Sequence, residues 1–193
     1  MKIKSADTTV AAPTGLMCCH CPLEADTRRL AAELAVAIRR LYLQRRKADK
    51  DFTAGIWLQG DLGAGKTTLA RELLQSLGVK DRIKSPTYAL LEEYRATATA
   101  TADSVENSLI ADLPLLHLDL YRLADAGELE YLGVPEALAG ALTLIEWPQQ
   151  GEGWLPTADL LIRIEEQASG RMFILQAQSA TGEKLLENLS SCF

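Results

Sequence analysis

Gly60-Asp61-Leu62-Gly63-Ala64-Gly65-Lys66-Thr67 is the stretch from which the rest of this chain is read. Glycines separated by four residues, with lysine and a hydroxyl residue after the last, have the spacing of a phosphate-binding loop. Each residue type there has a physical task. Glycines let the backbone enter conformations a Cβ forbids, so that successive N–H groups turn inward around a phosphate. The helix expected to open at Lys66 adds its free amides and positive dipole end. Lys66 is placed to reach the β- and γ-phosphates of a nucleotide, and the Thr67 hydroxyl to ligate Mg²⁺. Ile56-Trp57-Leu58, just before the loop, is a short apolar run of strand type. After it, Leu69, Ala70, Leu73, Leu74 and Leu77 recur at helical spacing until Gly78 supplies a stop. Strand, glycine turn and helix make the match specific: a chance occurrence in such a chain is on the order of one in a hundred before that context is counted.

A loop of this kind binds phosphates, but hydrolysis also needs an acid to hold Mg²⁺ or orient water. Two apolar runs end in a carboxylate, Leu115 to Asp119 and Leu142 to Glu146. In open α/β sheets the C-terminal ends of strands face the ligand, which puts both acids in reach of the metal. Either acid alone is equally a helix cap or a surface group. Two such endings behind an intact loop point to function. Thr87, in the turn Ser85-Pro86-Thr87-Tyr88, is a third candidate, a switch-like residue sensing the γ-phosphate, although Ser-Pro-Thr is also ordinary turn chemistry. His117 lies inside an apolar strand and reads as a packed core histidine.

Outward from these motifs, Leu30, Leu34, Ile38 and Leu41 mark an amphipathic helix of about four turns from Asp26. Ala89 to Leu91 reads as a strand and 96–112 as a flexible insertion. Leu123 to Leu132 and Pro135 to Leu142 read as two short helices separated by Gly133. Leu160 to Ile164 and Met172 to Ala177 form a late hairpin before a C-terminal helix. The expected architecture is α/β: a P-loop three-layer sandwich with a partly parallel, mixed sheet. Residues 1–22 are expected to be a flexible extension outside a single ATPase domain at 23–193.

The bulk numbers agree with one globular domain: 193 residues, 48% apolar and 24% charged. A net charge of −6 argues against a stand-alone binder of nucleic-acid backbone. Positive charge does cluster at Arg39, Arg40, Arg45, Arg46 and Lys47, either as a cationic helix end or as a docking patch. Cys18, Cys19 and Cys21 lack the second ligand pair a zinc site needs, and are expected to be a reduced, incidental cluster in a loose tail. No apolar run reaches membrane-spanning length and no secretory pattern opens the chain, so the expected setting is the cytoplasm. No Asn/Thr-Lys-x-Asp element for guanine is present, which favours ATP.

Gly60 to Thr68, Ser85-Pro86-Thr87-Tyr88, His117-Leu118-Asp119-Leu120-Tyr121-Arg122 and Ile145-Glu146-Trp147-Pro148, in this order, resemble the TsaE family. Leu155-Pro156-Thr157-Ala158-Asp159-Leu160 extends the likeness, which covers about residues 23–185. The resemblance implies ATP binding and hydrolysis in company with a TsaB–TsaD pair, where threonylcarbamoyl is transferred to adenosine 37 of tRNA, with any tRNA contact indirect or shared with the partners. Carried over by motif, Gly60, Leu62, Gly63, Ala64, Gly65, Lys66, Thr67 and Thr68 would hold the nucleotide, and Thr67 with Glu146 would hold Mg²⁺. Asp119 would be the acid needed for hydrolysis, with Lys66 beside it as a catalytic group. Thr87 would be the switch-like residue, Trp147 would lie close to the nucleotide, and the helix near Thr27 would border the adenine. The family usually continues Glu-Trp-Pro with another glutamate, where this chain has Gln149-Gln150. Outside the resemblance, a small-molecule P-loop kinase and a non-hydrolytic docking switch remain open. The insertion's lack of arginine disfavours the kinase.

Overall fold

The computed structural model describes residues 15–48, 52–83, 86, 89–97 and 113–189. Seven strands form one sheet: β1 (Leu16–Cys21), β2 (Ala54–Gln59), β3 (Leu91–Arg95), β4 (Pro114–Asp119), β5 (Leu142–Glu146), β6 (Leu160–Glu166) and β7 (Arg171–Ala177). Their order across the sheet is β1-β7-β6-β2-β5-β4-β3. The centre is parallel, β2 pairing with β5 and β6 and β4 pairing with β5. Antiparallel strands close both edges. This is the mixed α/β sandwich expected from the chain order of elements.

Helices cover both faces because the central strands are apolar on both sides, the rule for buried parallel strands. On one face lie α1 (Glu24–Lys47), α2 (Lys66–Ser76) and the last helix, α5 (Ala180–Glu187). Alternate residues Ile56, Leu58, Leu115, Leu142 and Leu144 meet them in the larger core. The other face buries Leu116, Leu118 and Ile145 against Leu129 and Val134 of two single-turn helices, α3 (Glu128–Tyr131) and α4 (Val134–Ala137).

Helix α1 shows how sequence dictates the packing. Asp26 accepts the backbone N–H of Leu23 at 2.9 Å, and acids sit in the first turn with bases in the last. Leu30, Leu34, Ile38 and Leu41 form one buried stripe. At about 1.5–3 kcal/mol each, they contribute on the order of 6–12 kcal/mol before conformational entropy is subtracted. The basic end of this helix is used internally. Arg39 donates to the Ser76 carbonyl that ends α2 at 2.8 Å, and Arg45 donates to Thr181 Oγ1 at 3.2 Å. Arg40 reaches the Asn188 carbonyl beyond α5. These arginines tie α1 to two neighbouring helices.

Several boundaries differ from those expected. Leu16–Cys21 is not loose tail but an edge strand, paired with β7 from Leu16↔Gln176 to Cys21↔Arg171. Its alternate residues Cys19 and Cys21 enter the main core. Cys18 and Cys21 are free thiols and Cys19 is disulfide-bonded, so the cluster is not wholly reduced as expected. Burial, with the Asp26 charge adding to it, pushes the Cys21 thiol up to about 11. The strand expected at Ala89–Leu91 begins only at Leu91, since Leu90 has φ 62° and breaks the extended geometry. The two expected helices shrink to four residues each. Leu142 belongs to β5 instead. Of the insertion expected at 96–112, residues 98–112 lie outside the described ones.

Candidate functional site

Three parallel neighbours, β2, β5 and β4, deliver their C-terminal ends to one edge of the sheet. Leu58 pairs with Glu146, and Glu146 with Asp119. The loop after β2 therefore lies directly beside both acids. Period-two alternation points His117, Asp119 and Glu146 to the same face as Leu115 and Leu142, the face that carries α2.

The loop takes its shape from glycine. Gly60 has φ +151°, and a Cβ there would stand 2.6 Å from the Ile164 carbonyl oxygen of β6. Gly65 has φ +109° and leads directly into α2; its Cβ would meet the Arg171 side chain at 3.1 Å. Arg171 opens β7 and donates from Nε to the Ala64 carbonyl at 2.6 Å and from Nη2 to the Gly63 carbonyl at 3.4 Å. A distant strand thus holds two carbonyls of the loop.

Lys66 is buried, and its Nζ donates to the Gly60 and Asp61 carbonyls at 2.8 Å each. The same Nζ lies 3.8 Å from the centroid of the Trp147 ring. Burial lowers the Lys66 pKa, opposed by the charges of Glu146, Asp119 and Asp61. Thr67 Oγ1 donates to Glu146 Oε2 at 2.7 Å, and His117 Nε2 stands 2.9 Å from Glu146 Oε1. Asp119 is buried and accepts the N–H of Tyr121 at 3.1 Å. Trp147 leaves β5 in the left-handed region, φ 57°, a costly conformation that clusters at functional sites. Its ring leans on Tyr121, with centroids 5.0 Å apart.

These groups line one cleft of about 440 Å³. Leu62, Gly63, Gly65, Lys66, Thr67 and Thr68 form its loop side, and Asp119, Glu146 and Trp147 its sheet side. Gly60 does not line this cleft, but its carbonyl accepts from Lys66 Nζ. Ala64 is buried, and its carbonyl is the one that accepts from Arg171 Nε. Thr87 lies outside the described residues. Two hard oxygen donors from two elements, 2.7 Å apart beside a phosphate-loop lysine, fit Mg²⁺, which takes one or two protein oxygens and completes its shell from phosphates and water. Among the described residues no group of three His, Cys, Asp or Glu side chains could hold a metal.

The family model described as "Threonylcarbamoyl adenosine biosynthesis protein TsaE" matches residues 21–173. This chain belongs to the TsaE family. A TsaE protein of Haemophilus influenzae, named as a tRNA threonylcarbamoyladenosine biosynthesis protein, is 41% identical over 137 residues, spanning 70% of this chain and 78% of the relative. Its namesake from Bacillus subtilis is 36% identical over 135 residues, 69% of this chain and 75% of that one. The crystal structure of Bacillus subtilis YdiB superposes with a TM-score of 0.61 at 27% identity, covering 90% of this chain and 93% of that one. The family resemblance read from the motifs is thereby established.

The TsaE fold also supplies site residues the motifs did not point to. Arg171 lies about a hundred positions from the loop it holds, at the start of an ordinary-looking strand. Period-two alternation from Asp119 could have placed His117 on the same face as that acid; its apolar neighbours suggested core packing instead. Tyr121 and Arg122, the last two residues of the motif that contains Asp119, were within reach of the sequence reading, and both line the cleft. The small cavity of about 90 Å³ beyond Gly65 is lined by Glu24, Thr27, Thr68 and Arg171. It brings the start of α1 to the loop.

Proposed function

We propose that this chain is the ATP-binding, ATP-hydrolysing member of a tRNA threonylcarbamoyladenosine system, working in the cytoplasm with a TsaB–TsaD pair. Membership of the TsaE family supports the pathway. The observation that carries the chemistry is the Thr67 hydroxyl 2.7 Å from the Glu146 carboxylate, behind a complete phosphate loop.

The loop amides and Lys66 would receive the phosphates. Lys66 has only to exchange two carbonyl partners for phosphate oxygens, a short movement within the same pocket. Thr67 and Glu146 would hold Mg²⁺, which when bound neutralises charge on the β- and γ-phosphates. Asp119, held through the Tyr121 N–H, faces the same cleft and would accept or orient the proton of the attacking water. Trp147 and Tyr121 wall the cleft and restrict water. Arg122, on the cleft rim, is the candidate for stabilising charge that builds on the leaving phosphate. No observation favours a small-molecule kinase or a non-hydrolytic switch.

The test is ATP turnover by the purified chain, alone and with TsaB, TsaD and tRNA, beside Lys66→Ala and Asp119→Ala. Turnover should rise with the partners and vanish with Lys66→Ala. Asp119→Ala should lower kcat by about 10²-fold or more while ATP still binds within a few-fold of wild type. Wild-type turnover by Asp119→Ala would remove that residue from the mechanism. Unchanged turnover on adding the partners would remove the partner-dependent role.

A further inference from the structure

His117 has no part in the mechanism above, yet it is the most completely enclosed polar side chain in the site. It is 0% exposed and Glu146 is 1% exposed. The two meet at 2.9 Å between His117 Nε2 and Glu146 Oε1. The other ring nitrogen, Nδ1, is buried and has no hydrogen-bond partner among the described residues. That asymmetry assigns the tautomer. With hydrogen on Nε2, the ring donates to the carboxylate and leaves only a lone pair unmatched on Nδ1. With hydrogen on Nδ1, a buried donor would go unsatisfied and a ring lone pair would face a carboxylate oxygen, which costs more. His117 is therefore a donor fixed on one oxygen of Glu146.

The strand register explains why the pair meets. Asp119 is the direct partner of Glu146 across β4 and β5, and His117 stands two residues earlier on the same face, at the diagonal position. Glu146 has two oxygens with different tasks. Oε1 is taken by His117, and Oε2 lies against the Thr67 hydroxyl at 2.7 Å. Without a donor on Oε1 the carboxylate could rotate about its last torsion, a broad and weakly restrained one, and present either oxygen or neither. Burial makes the hydrogen bond both strong and costly to lose.

We propose that His117 is a positioning residue for the divalent-cation site: it pins Oε1 of Glu146 so that Oε2 stays aimed at the cation and Thr67. This rests on the reading that Thr67 and Glu146 hold Mg²⁺. His117 itself does not line the cleft. A partner donating to a ligating carboxylate typically changes metal affinity by about 10–100-fold when removed.

The measurement is ATP binding by the full chain in calorimetry, in EDTA and across a Mg²⁺ series, for wild type, His117→Phe, His117→Gln and Glu146→Ala, with each variant's melting recorded. His117→Phe keeps a flat aromatic ring, somewhat larger than imidazole, and loses the donor. His117→Gln places an amide N–H close to the position of Nε2. We expect His117→Phe to need about 10–100-fold more Mg²⁺ for the same enhancement of ATP binding, with binding in EDTA within twofold of wild type. His117→Gln should recover most of that loss. The proposal is overturned if His117→Phe keeps the wild-type Mg²⁺ dependence, or if Phe and Gln weaken binding equally with and without Mg²⁺, as a packing defect would. Glu146→Ala separates the two levels. If its Mg²⁺ dependence is unchanged, the metal reading fails; if it is lost while His117→Phe is normal, the pinning role alone fails.

Discussion

Gly60 and Arg171 show how much of the phosphate loop's shape is imposed by single residues. The Ile164 carbonyl leaves no room for a Cβ at Gly60, and backbone cannot swing aside as a side chain would. Arg171 acts from outside, holding the Ala64 and Gly63 carbonyls. Both act on where the amides point, so both are tested by binding rather than by rate. Arg171→Ala should weaken ATP binding about 5–30-fold, through loss of its two charge-assisted hydrogen bonds to the loop, together about 1–2 kcal/mol because the longer one is weak. Turnover at saturating ATP should change much less. Equilibrium binding beside kcat checks this: a fall in kcat with unchanged affinity would place Arg171 in the chemistry instead of the scaffold. Lysine at 171 should rescue only partly, since its ammonium lacks the fork that spans two carbonyls.

At the scale of elements, β1 matters most because it joins the N-terminal residues to the site. Cys21, its last residue, pairs with Arg171, so the edge strand braces the position from which the arginine reaches the loop. A chain begun at Leu23 would lose that bracing and the burial of Cys19 and Cys21. Its melting temperature should fall by roughly 5–15 °C, and its ATP affinity should drop by a smaller factor than in Arg171→Ala. Equal melting with and without the strand, followed by circular dichroism, would show that β1 adds no stability. Helices α3 and α4 are a different case. Each is one turn long, so their positions come from burial of Leu129 and Val134 rather than from helix propensity.

Over the whole molecule, charge and burial together set the behaviour of Lys66. The chain carries a net charge of −6, yet the proposed ligand is a polyanion. The cleft sets one buried lysine and Arg122 against the two acids Asp119 and Glu146. Because burial lowers its pKa, Lys66 deprotonates below the ordinary lysine value of about 10.4. Phosphate binding favours the charged form, so it raises that pKa. Affinity should therefore be flat through neutral pH and fall with rising pH once the free-protein pKa is passed, by at most about tenfold per unit. The fall should begin at lower pH than a solvent-exposed lysine would give. A pH series of ATP binding in EDTA checks the sign, and affinity that rises with pH would contradict it. The same linkage acts on folding in the opposite sense: burying a charged lysine costs stability at neutral pH, and the cost is relieved as pH rises.

The sequence by itself determined the strand–glycine loop–helix unit, the acids at two strand ends, the family and the mixed α/β class. Each of these is written locally: in glycine spacing, in a carboxylate at the end of an apolar run, or in a motif of four to nine residues. Tertiary structure decided the rest. β1 was hidden because its buried residues are cysteines rather than large aliphatics, and its partner strand lies some 150 positions away. Arg171 was invisible because nothing near it in sequence says what it touches. His117 was placed on an apolar strand correctly, but its bond to Glu146 exists only once β4 and β5 are in register. Local spacing fixes which groups the backbone can present; only long-range pairing fixes which of them meet.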